Sequence, residues 1–455
     1  MAQLTNRRSF LKSTGALAGT VFMGGGAIAE EEKREVKNVI FLVADGMGVG
    51  TLSLTECWHQ TRASQSLEWV QLYTQAGVVV SKQDTASANS MVTDSAAAGS
   101  AWGGGKRVNN GVINITPEGE ELKPIGVHAK ELGMSVGLVT TTRLTHATPA
   151  AFLASVQHRK MEEAIADQYL VAEADVYLGG GMKFFRQGER DLITKFEQKG
   201  YAFVDNKQSL KLNAGKDKLL GVFSHDHIPY AIDRVHQAFY SGLPNLVEMF
   251  EAALQTLEKN PNGFLLQIEG GRIDHAGHAN DPGTIVHEQL EFDACIPVAM
   301  EYVRKNPGTL LVVTTDHGTA GCQLNGVGNA YRGTGEALAA LADQQGSFEF
   351  MAEDAQGRGA FSSELFMQVM GWEAWPEIEQ EVNDKLGIDK DLLARVYGKH
   401  CAGKYLAKTG VGWTSHEHTA ELVDLLSYGA GAERFPPYLK NEDVHHILKG
   451  LLKRG

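Results

Sequence analysis

The 455-residue chain has few of the features that mark several common protein classes. It contains four cysteines, and none of them forms a CxxC pair, which excludes a zinc–thiolate cluster and a dense disulfide scaffold. Their wide spacing leaves open one or two disulfides or four free thiols, and it does not choose a pairing. The cysteines are Cys57, Cys295, Cys322 and Cys401.

Positive charge and long apolar runs are also scarce. Lys and Arg number 42 against 55 Asp and Glu, which gives a formal net charge of −13 at pH 7. Such a chain has no general attraction for nucleic acid or anionic membranes, and its acidic groups could instead bind cations. No segment approaches 18 consecutive apolar residues, so no stable membrane anchor is expected. The stretch GGGKR at 103–107 lacks the spacing of a nucleotide-binding loop and predicts a turn after a helix.

The N-terminus has the pattern of an export signal. Residues 5–12 read TNRRSFLK, a weakly apolar Gly/Ala-rich stretch follows, and Ala27-Ile28-Ala29 forms a small-residue cleavage site. The adjacent arginines resemble a twin-arginine signal. We therefore predict a signal peptide over 1–29, handled by the twin-arginine export machinery, and a periplasmic or secreted mature protein.

The mature chain alternates short apolar runs with helical patterns. The runs lie at 38–44, 135–141, 175–178, 263–268 and 309–315, and they are typical of strands buried on both faces of a parallel sheet. Helices are predicted at 125–132 and 284–305, the latter after Asn280-Asp281-Pro282. This order predicts a doubly wound, mostly parallel α/β fold with helices on both faces. We divide it into a core (36–325), an insertion or cap (326–410), a return to the core (411–435) and a C-terminal tail with a surface helix (436–455).

Reactive side chains follow four of these predicted strands. Asp45 follows the first, Thr148 lies shortly after the second, Glu269 follows the fourth, and Asp316-His317 follow the fifth. Because the carboxyl ends of parallel strands meet at one edge of a sheet, we expect these residues to form one site. Asp and His suit a catalytic zinc, whereas Glu, Asp and Thr oxygens suit magnesium.

Two other stretches add to this expected site. The segment TDSAAAG places Ser95 where a helix begins, so Ser95 is either a helix cap or a nucleophile. Both roles would place its oxygen beside free backbone N–H groups, so the two are compatible. Asp274 and His278 are four residues apart, which puts them on one face of a helix.

Six motifs occur in order between about residues 40 and 430: VADGMG, TDSAAAG, THATPAA, EGGRIDHAGH, TTDHG and WTSHEHTAE. Together they resemble the alkaline phosphatase family. The resemblance implies hydrolysis of phosphate monoesters through a covalent phosphoserine, at a site with two Zn²⁺ and one Mg²⁺. It also implies a homodimer as the family's usual assembly.

The resemblance further implies residue roles. Ser95 would be the nucleophile, and Arg159 would clamp the phosphate. Asp45 would bridge one zinc and the magnesium. The metal ligands implied as a set are Asp45, Ser95, Thr148, Glu269, Asp274, His278, Asp316, His317 and His418, of which Asp316 and His317 complete the first zinc, Asp274, His278 and a late histidine hold the second, and Thr148 and Glu269 join the magnesium.

Histidines occupy three further positions of these motifs. The motif WTSHEHTAE offers both His416 and His418 as the late zinc ligand, and the register of the following small residues and acid favours His418. His146 and His275 take positions where the best-studied bacterial members carry Asp and Lys, as the animal enzymes do. His146 would lie near the third metal and His275 near the phosphate, and they leave that metal open between magnesium and zinc.

The sequence alone leaves two rival functions open. A phosphodiesterase or another hydrolase of the same fold would share most motifs, although the C/S-x-P-x-R context of a sulfatase is missing around Ser95. A catalytically silent protein that binds phosphate or metal would keep the ligands without turnover. The sequence specifies neither the natural substrate nor whether the 326–410 segment caps the site or contacts a second subunit.

Overall fold

The predicted strands pair side by side in one ten-stranded sheet. The structure, a computed structural model, describes residues 35–452. The signal peptide predicted at 1–29 lies outside this range, as do residues 453–455. Among the described residues, no helix combines the length and the apolar character needed to cross a membrane.

The strands between residues 35 and 452 are β1 (Asn38–Val43), β2 (Val79–Asp84), β3 (Ser135–Arg143), β4 (Val176–Gly180), β5 (Arg186–Gln187), β6 (Arg190–Asp191), β7 (Ala202–Val204), β8 (Leu219–Val222), β9 (Phe264–Glu269), β10 (Thr309–Thr314), β11 (Gly318–Thr319), β12 (Gln323–Leu324), β13 (Val411–Gly412), β14 (His418–Thr419), β15 (Val423–Gly429) and β16 (Tyr438–Lys440).

The α-helices of the same range are α1 (Val49–Ala63), α2 (Glu68–Leu72), α3 (Ser95–Gly104), α4 (Ile125–Glu131), α5 (Ala147–Ala151), α6 (Glu162–Ala172), α7 (Met182–Phe185), α8 (Leu192–Gln198), α9 (Lys207–Asn213), α10 (Ala231–His236), α11 (Leu246–Leu257), α12 (Arg272–His278), α13 (Pro282–Asp293), α14 (Cys295–Lys305), α15 (Thr334–Ala339), α16 (Phe348–Arg358), α17 (Ser363–Met370), α18 (Pro376–Asp384), α19 (Lys390–Thr409) and α20 (Asn441–Leu451). Short 3₁₀ helices cover Ala238–Tyr240, Asn329–Tyr331, Ala340–Asp343 and Ala432–Arg434.

The central sheet has the strand order β16-β2-β15-β10-β1-β9-β3-β4-β8-β7. Only β15 runs antiparallel to its neighbours within this sheet, and every other adjacent pair is parallel. The prediction of a mostly parallel α/β sheet is therefore confirmed. Three two-stranded ribbons, β5–β6, β11–β14 and β12–β13, lie outside this sheet.

Both faces of the sheet are buried. Ile40 and Leu42 of β1 pack into one hydrophobic cluster, whereas Val39 and Phe41 pack into the other. Successive side chains of a strand point to opposite faces, so a strand covered by helices on both sides must be apolar throughout. This burial explains why β1 reads NVIFLV without polar alternation.

One predicted helix is wrong. The segment 284–305 forms two helices, α13 and α14, that meet at Ala294. Pro297 lies in the first turn of α14 and has no N–H to donate to the carbonyl of Asp293, so a continuous helix would lose that bond and clash there. The start after Asp281 is as predicted, with its carboxylate accepting from the N–H of Thr284.

Two other segments have defined places in the fold. Residues 334–409 form five α-helices and one 3₁₀ helix, and the first turn of α19 lies beside a cleft over Ser95. The segment 436–455 contributes the edge strand β16 and the helix α20, whose Val444 and Leu448 are buried. All four cysteines are free thiols, and Cys295, Cys322 and Cys401 are buried.

Candidate metal and phosphate site

The candidate site lies at the carboxyl ends of the four adjacent strands β10, β1, β9 and β3. Val43 pairs with both Glu269 and Thr314, so Asp45, Glu269 and Asp316 all emerge at the same edge of the sheet. Gly46 adopts φ +75°, and a Cβ there would lie 2.6 Å from Cα of Asp274. The chain can therefore turn away from Asp45 at this point only because residue 46 has no side chain.

Ser95 is the first residue of α3, and it is buried. The helix cap is its neighbour Asp94, whose carboxylate accepts from the N–H of Ala97 at 3.0 Å. The Ser95 hydroxyl is thus not used for capping, and its Oγ lies 3.3 Å from Nε2 of His317. The helix ends at Gly104, and Gly105 takes the left-handed conformation, which confirms the turn predicted from GGGKR.

A first group of candidate metal ligands contains Asp45, Asp316 and His317, all buried. Nε2 of His317 lies 3.1 Å from Oδ2 of Asp316 and 3.7 Å from Oδ1 of Asp45. Burial, together with the negative charges of Asp316 and Asp274, raises the pKa of Asp45 well above its usual value. Carboxylates packed this closely repel one another unless a cation lies between them.

A second group contains Asp274, His278 and His418. The two histidines face each other with their Nε2 atoms 3.0 Å apart, and both nitrogens lie within 3.5 Å of the Asp274 carboxylate. Nδ1 of His418 donates to the carbonyl of Thr93, and Nδ1 of His278 donates to the carbonyl of His416. These bonds leave both Nε2 lone pairs facing the same point, which is how metal-binding histidines are oriented.

The first two groups are neighbours. The rings of His317 and His418 stack with their centroids 3.7 Å apart, so one ring from each group forms the contact. Burial and the nearby His317 lower the pKa of His418 to about 4, which keeps this ring neutral at physiological pH. Burial alone would raise the pKa of Asp274, but His278 and His418 outweigh it and hold that pKa well below its usual value.

A third group contains Asp45, His146 and Glu269. Oγ1 of Thr148 lies 3.3 Å from Oδ2 of Asp45, which adds a hydroxyl to this group. Oε2 of Glu269 accepts a hydrogen bond from the hydroxyl of Thr140. Burial raises the pKa of Glu269 to about 7. Asp45 is the one residue shared with the first group.

The chemistry of these donors fits bound cations. Oδ1 of Asp45 and Oε1 of Glu269 are buried and have no hydrogen-bond partner among the described residues. A buried polar atom without a partner costs roughly 1–3 kcal/mol, and a charged one costs more. Two such carboxylate oxygens in adjoining ligand groups are explained if cations complete them.

A cleft of about 580 Å³ opens over Ser95. Arg159 borders it and donates to Oδ2 of Asp94 at 3.1 Å and to Nε2 of His146 at 2.8 Å. The same cleft is lined by His275, His278 and His418. The guanidinium thus lies beside the serine, where a planar pair of N–H groups could bind two phosphate oxygens.

His275 forms part of a cluster of histidine rings. Its ring centroid lies 5.4 Å from that of His146 and 4.4 Å from that of His227. Burial and the charge of Arg272 lower the pKa of His275 well below its usual value, so the ring is neutral. His416, the other candidate for the late ligand, is outside the three groups, and its Nδ1 donates to the carbonyl of His278 at 2.9 Å.

Sequence reasoning missed several residues that hold the site. Asp94 both caps α3 and orients Arg159, and its position directly before Ser95 was the available signal. Glu421 accepts from the N–H of Val49, which joins the start of α1 to the His418 strand. Thr140 supports Glu269 from β3, and nothing in the linear sequence indicates this pairing.

Comparison with known proteins agrees with this geometry. The alkaline phosphatase family model matches residues 36–454. Alkaline phosphatase 4 of Bacillus subtilis is 31% identical over 94% of this chain and 91% of its own length. Repressible alkaline phosphatase of Saccharomyces cerevisiae is 32% identical over 90% of this chain and 79% of its own.

Two solved structures are similar in fold as well as in sequence. The crystal structure of Thermus thermophilus alkaline phosphatase superposes with a TM-score of 0.84, at 33% identity over 96% of both chains. That of the cold-active alkaline phosphatase from Shewanella sp. gives 0.77, at 30% identity over 92% of this chain and all of the other. The order of the six motifs, the ligand groups and these relatives agree: this chain belongs to the alkaline phosphatase family and is a phosphoric monoester hydrolase.

Proposed function

We propose that the enzyme works through a covalent phosphoserine at Ser95, with zinc held by the first and second ligand groups and magnesium by the third. The observation that carries this proposal is the placement of the Ser95 hydroxyl. It is buried at a helix N-terminus, it is not used as a cap, and it lies 3.3 Å from Nε2 of His317.

The ligand roles follow from the three groups. Asp45, Asp316 and His317 would hold one zinc, with Ser95 as its fourth ligand, and Asp274, His278 and His418 would hold the other. Thr148 and Glu269 would bind magnesium together with Asp45, and His146 would lie beside that ion. When bound, the ions would neutralise the phosphate dianion and make serine and water more nucleophilic.

The residues of the chain would divide the reaction between them. Oγ of Ser95 loses its proton and attacks phosphorus, the bond from phosphorus to the alcohol oxygen breaks, and that oxygen takes up a proton as the alcohol leaves. Water then cleaves the phosphoserine and releases inorganic phosphate. Arg159 grips two phosphate oxygens, and the free N–H groups at the start of α3 favour the negative charge that faces them.

The cleft also supports a broad substrate range. Besides Ser95, Arg159 and His275, it is lined by Lys160 and the first turn of α19. We infer that the alcohol lies toward Lys160 and α19, and that the 326–410 segment acts as a cap over it. Export through the twin-arginine pathway, a periplasmic or secreted location and a homodimer belong to the same proposal.

Acid-quenched turnover of a ³²P-labelled phosphate monoester tests the intermediate. Wild-type enzyme loaded with zinc and magnesium should carry label on Ser95, as located by mass spectrometry of peptides. Ser95→Ala should lose the label and more than about 1,000-fold in kcat while it keeps its bound metal. Ser100→Ala is the matched control. Ser100 is a buried serine of the same helix, and its hydroxyl donates to the carbonyl of Ala96 and accepts from the N–H of Asn114.

Three outcomes would contradict the proposal. Wild-type turnover by Ser95→Ala would remove the serine from the mechanism. Faster hydrolysis of a diester than of a monoester would favour the phosphodiesterase alternative. Binding of metal and phosphate without turnover of either ester would favour a silent binding protein.

A further inference from the structure

Arg272 contacts His275, and two of its neighbours, Tyr230 and Glu349, line the cleft together with His275. Its side chain is fully buried, and one guanidinium nitrogen lies 2.8 Å from Nδ1 of His275. A second nitrogen donates to Oε2 of Glu349 at 2.7 Å, and the guanidinium stacks on the ring of Tyr230 at 3.8 Å. Arg272 is therefore held from three sides, and it has little freedom to release His275.

This contact determines where the proton of His275 resides. A guanidinium only donates hydrogen bonds, so Nδ1 of His275 must accept. A neutral imidazole has one proton, which is then on Nε2. Nε2 of His275 has no hydrogen-bond partner among residues 35–452, and the ring lines the cleft beside Ser95 and Arg159.

The neighbouring His146 has the opposite arrangement. There Arg159 donates to Nε2, so the proton of a neutral His146 ring is on Nδ1, which is buried and has no hydrogen-bond partner among the described residues. Two arginines thus impose opposite tautomers on two histidine rings whose centroids are 5.4 Å apart. The N–H of His146 is therefore on Nδ1, whereas that of His275 is on Nε2 of a ring that lines the cleft.

Glu349 extends this contact into the 326–410 segment. It belongs to α16, and its second oxygen accepts from Nζ of Lys390 at the start of α19 at 2.9 Å. The segment therefore reaches His275 through a chain of charge-assisted bonds that ends at the cleft.

We propose that Arg272, held by Glu349, is a positioning residue that fixes His275 as an Nε2–H donor to a phosphate oxygen of the substrate. The inference rests on the proposed function, in which phosphate binds beside Ser95. It assigns the 326–410 segment a part in phosphate binding in addition to covering the cleft.

Histidine tautomers are read directly by long-range ¹H–¹⁵N NMR of enzyme labelled with ¹⁵N-histidine, with His275 identified by its loss in His275→Ala. In the wild-type enzyme, Nδ1 of His275 should be unprotonated and Nε2 protonated. Arg272→Lys keeps the charge but cannot reach both His275 and Glu349, so it should give a mixture of tautomers. A protonated Nδ1 in the wild-type enzyme would overturn the proposal.

Competitive inhibition by inorganic phosphate gives the functional readout. Arg272→Lys should raise Ki for phosphate and KM for a chromogenic monoester about tenfold, with kcat changed less than about threefold. In a His275→Ala background the same substitution should have no further effect on Ki, because Arg272 acts through His275. Arg234→Lys is the matched control, a buried arginine paired with Glu291 away from the cleft, and it should leave Ki unchanged.

A full additional loss in the His275→Ala background would show that Arg272 acts elsewhere and would overturn the proposal. A lower kcat with unchanged Ki would mean a structural role only, and it would overturn the proposal as well. Failure of the proposed function would look different, since Ser95→Ala would then keep its turnover while the NMR tautomers still reported on Arg272 and His275.

Discussion

Two buried clusters of charge lie next to each other in this enzyme, and they differ in how their charges are balanced. In the ligand groups, Oδ1 of Asp45 and Oε1 of Glu269 have no hydrogen-bond partner among the described residues. In the adjoining cluster, both oxygens of Glu349 are paired, one with Arg272 and one with Lys390.

The pKa values follow this difference. Burial raises the pKa of Glu269 to about 7. Burial acts on Glu349 in the same direction, but Arg272 and Lys390 outweigh it and lower that pKa to about 2. A cluster that the chain completes by itself holds its own groups in place, whereas one left incomplete is prepared for something the chain does not contain. The largest effects on activity should therefore come from the incomplete cluster, and effects on stability from the complete one.

The largest expected effect is that of Asp45→Asn. Asp45 belongs to two ligand groups, so its loss should remove metal from both and lower kcat more than about 1,000-fold. Glu269→Gln is the comparison. Because Glu269 belongs to only one ligand group, this variant should lose one bound ion. Metal content by mass spectrometry and kcat measure both, and a full metal complement in Asp45→Asn would contradict the shared role.

A smaller effect separates the two late histidines. His418→Ala should lose the ion of the second group and about 100-fold in kcat, because its Nε2 faces Asp274 and His278. His416→Ala should cost less than about tenfold, since the carbonyl that accepts from His278 is backbone and persists. Equal losses in the two variants would make His416 a ligand as well.

In the complete cluster, Glu349→Gln should act on stability. It leaves buried Arg272 without its carboxylate, which should lower the free energy of unfolding by about 3 kcal/mol. Glu353→Gln is the matched control, because Glu353 also bonds Lys390 but is 42% exposed, and it should cost less than about 1 kcal/mol. Urea unfolding measures both, and metal content should be unchanged in each.

The smallest effect is a pH dependence of opposite sign for the two clusters. The lowered pKa of Glu349 contributes stability above its unfolded value of 4.5, and this is lost as pH falls toward about 2. The raised pKa of Glu269 acts oppositely in metal-stripped enzyme, which should lose stability as pH rises from 4.5 to about 7.

Melting temperatures with and without chelator measure this difference. Adding zinc and magnesium should restore the melting temperature lost between pH 4.5 and 7, but not the one lost at lower pH. If the melting temperature of chelated enzyme did not fall between pH 4.5 and 7, the ligand groups would not carry the unpaired carboxylates assigned to them.

How far the sequence predicts the fold depends on burial. The five predicted strands became β10, β1, β9, β3 and β4, which are consecutive in the middle of the sheet. The strands that sequence reasoning missed flank them, and they are short or of mixed polarity, as in VVSKQD of β2. Central strands are buried on both faces and must be apolar, whereas strands nearer an edge carry polar residues that hide the pattern.

The sequence by itself determined the nature of the site, because a strand that ends in Asp or Glu keeps that residue next to it in space. Asp45, Glu269 and Asp316 were predictable for this reason, as was the one-turn spacing of Asp274 and His278. Tertiary structure alone decided the contacts between segments far apart in the chain. Those contacts brought His418 against Asp274, placed Arg159 on Asp94 and set Glu349 behind Arg272. Hydrogen bonds between such segments depend on three-dimensional packing, which no local pattern of residues encodes.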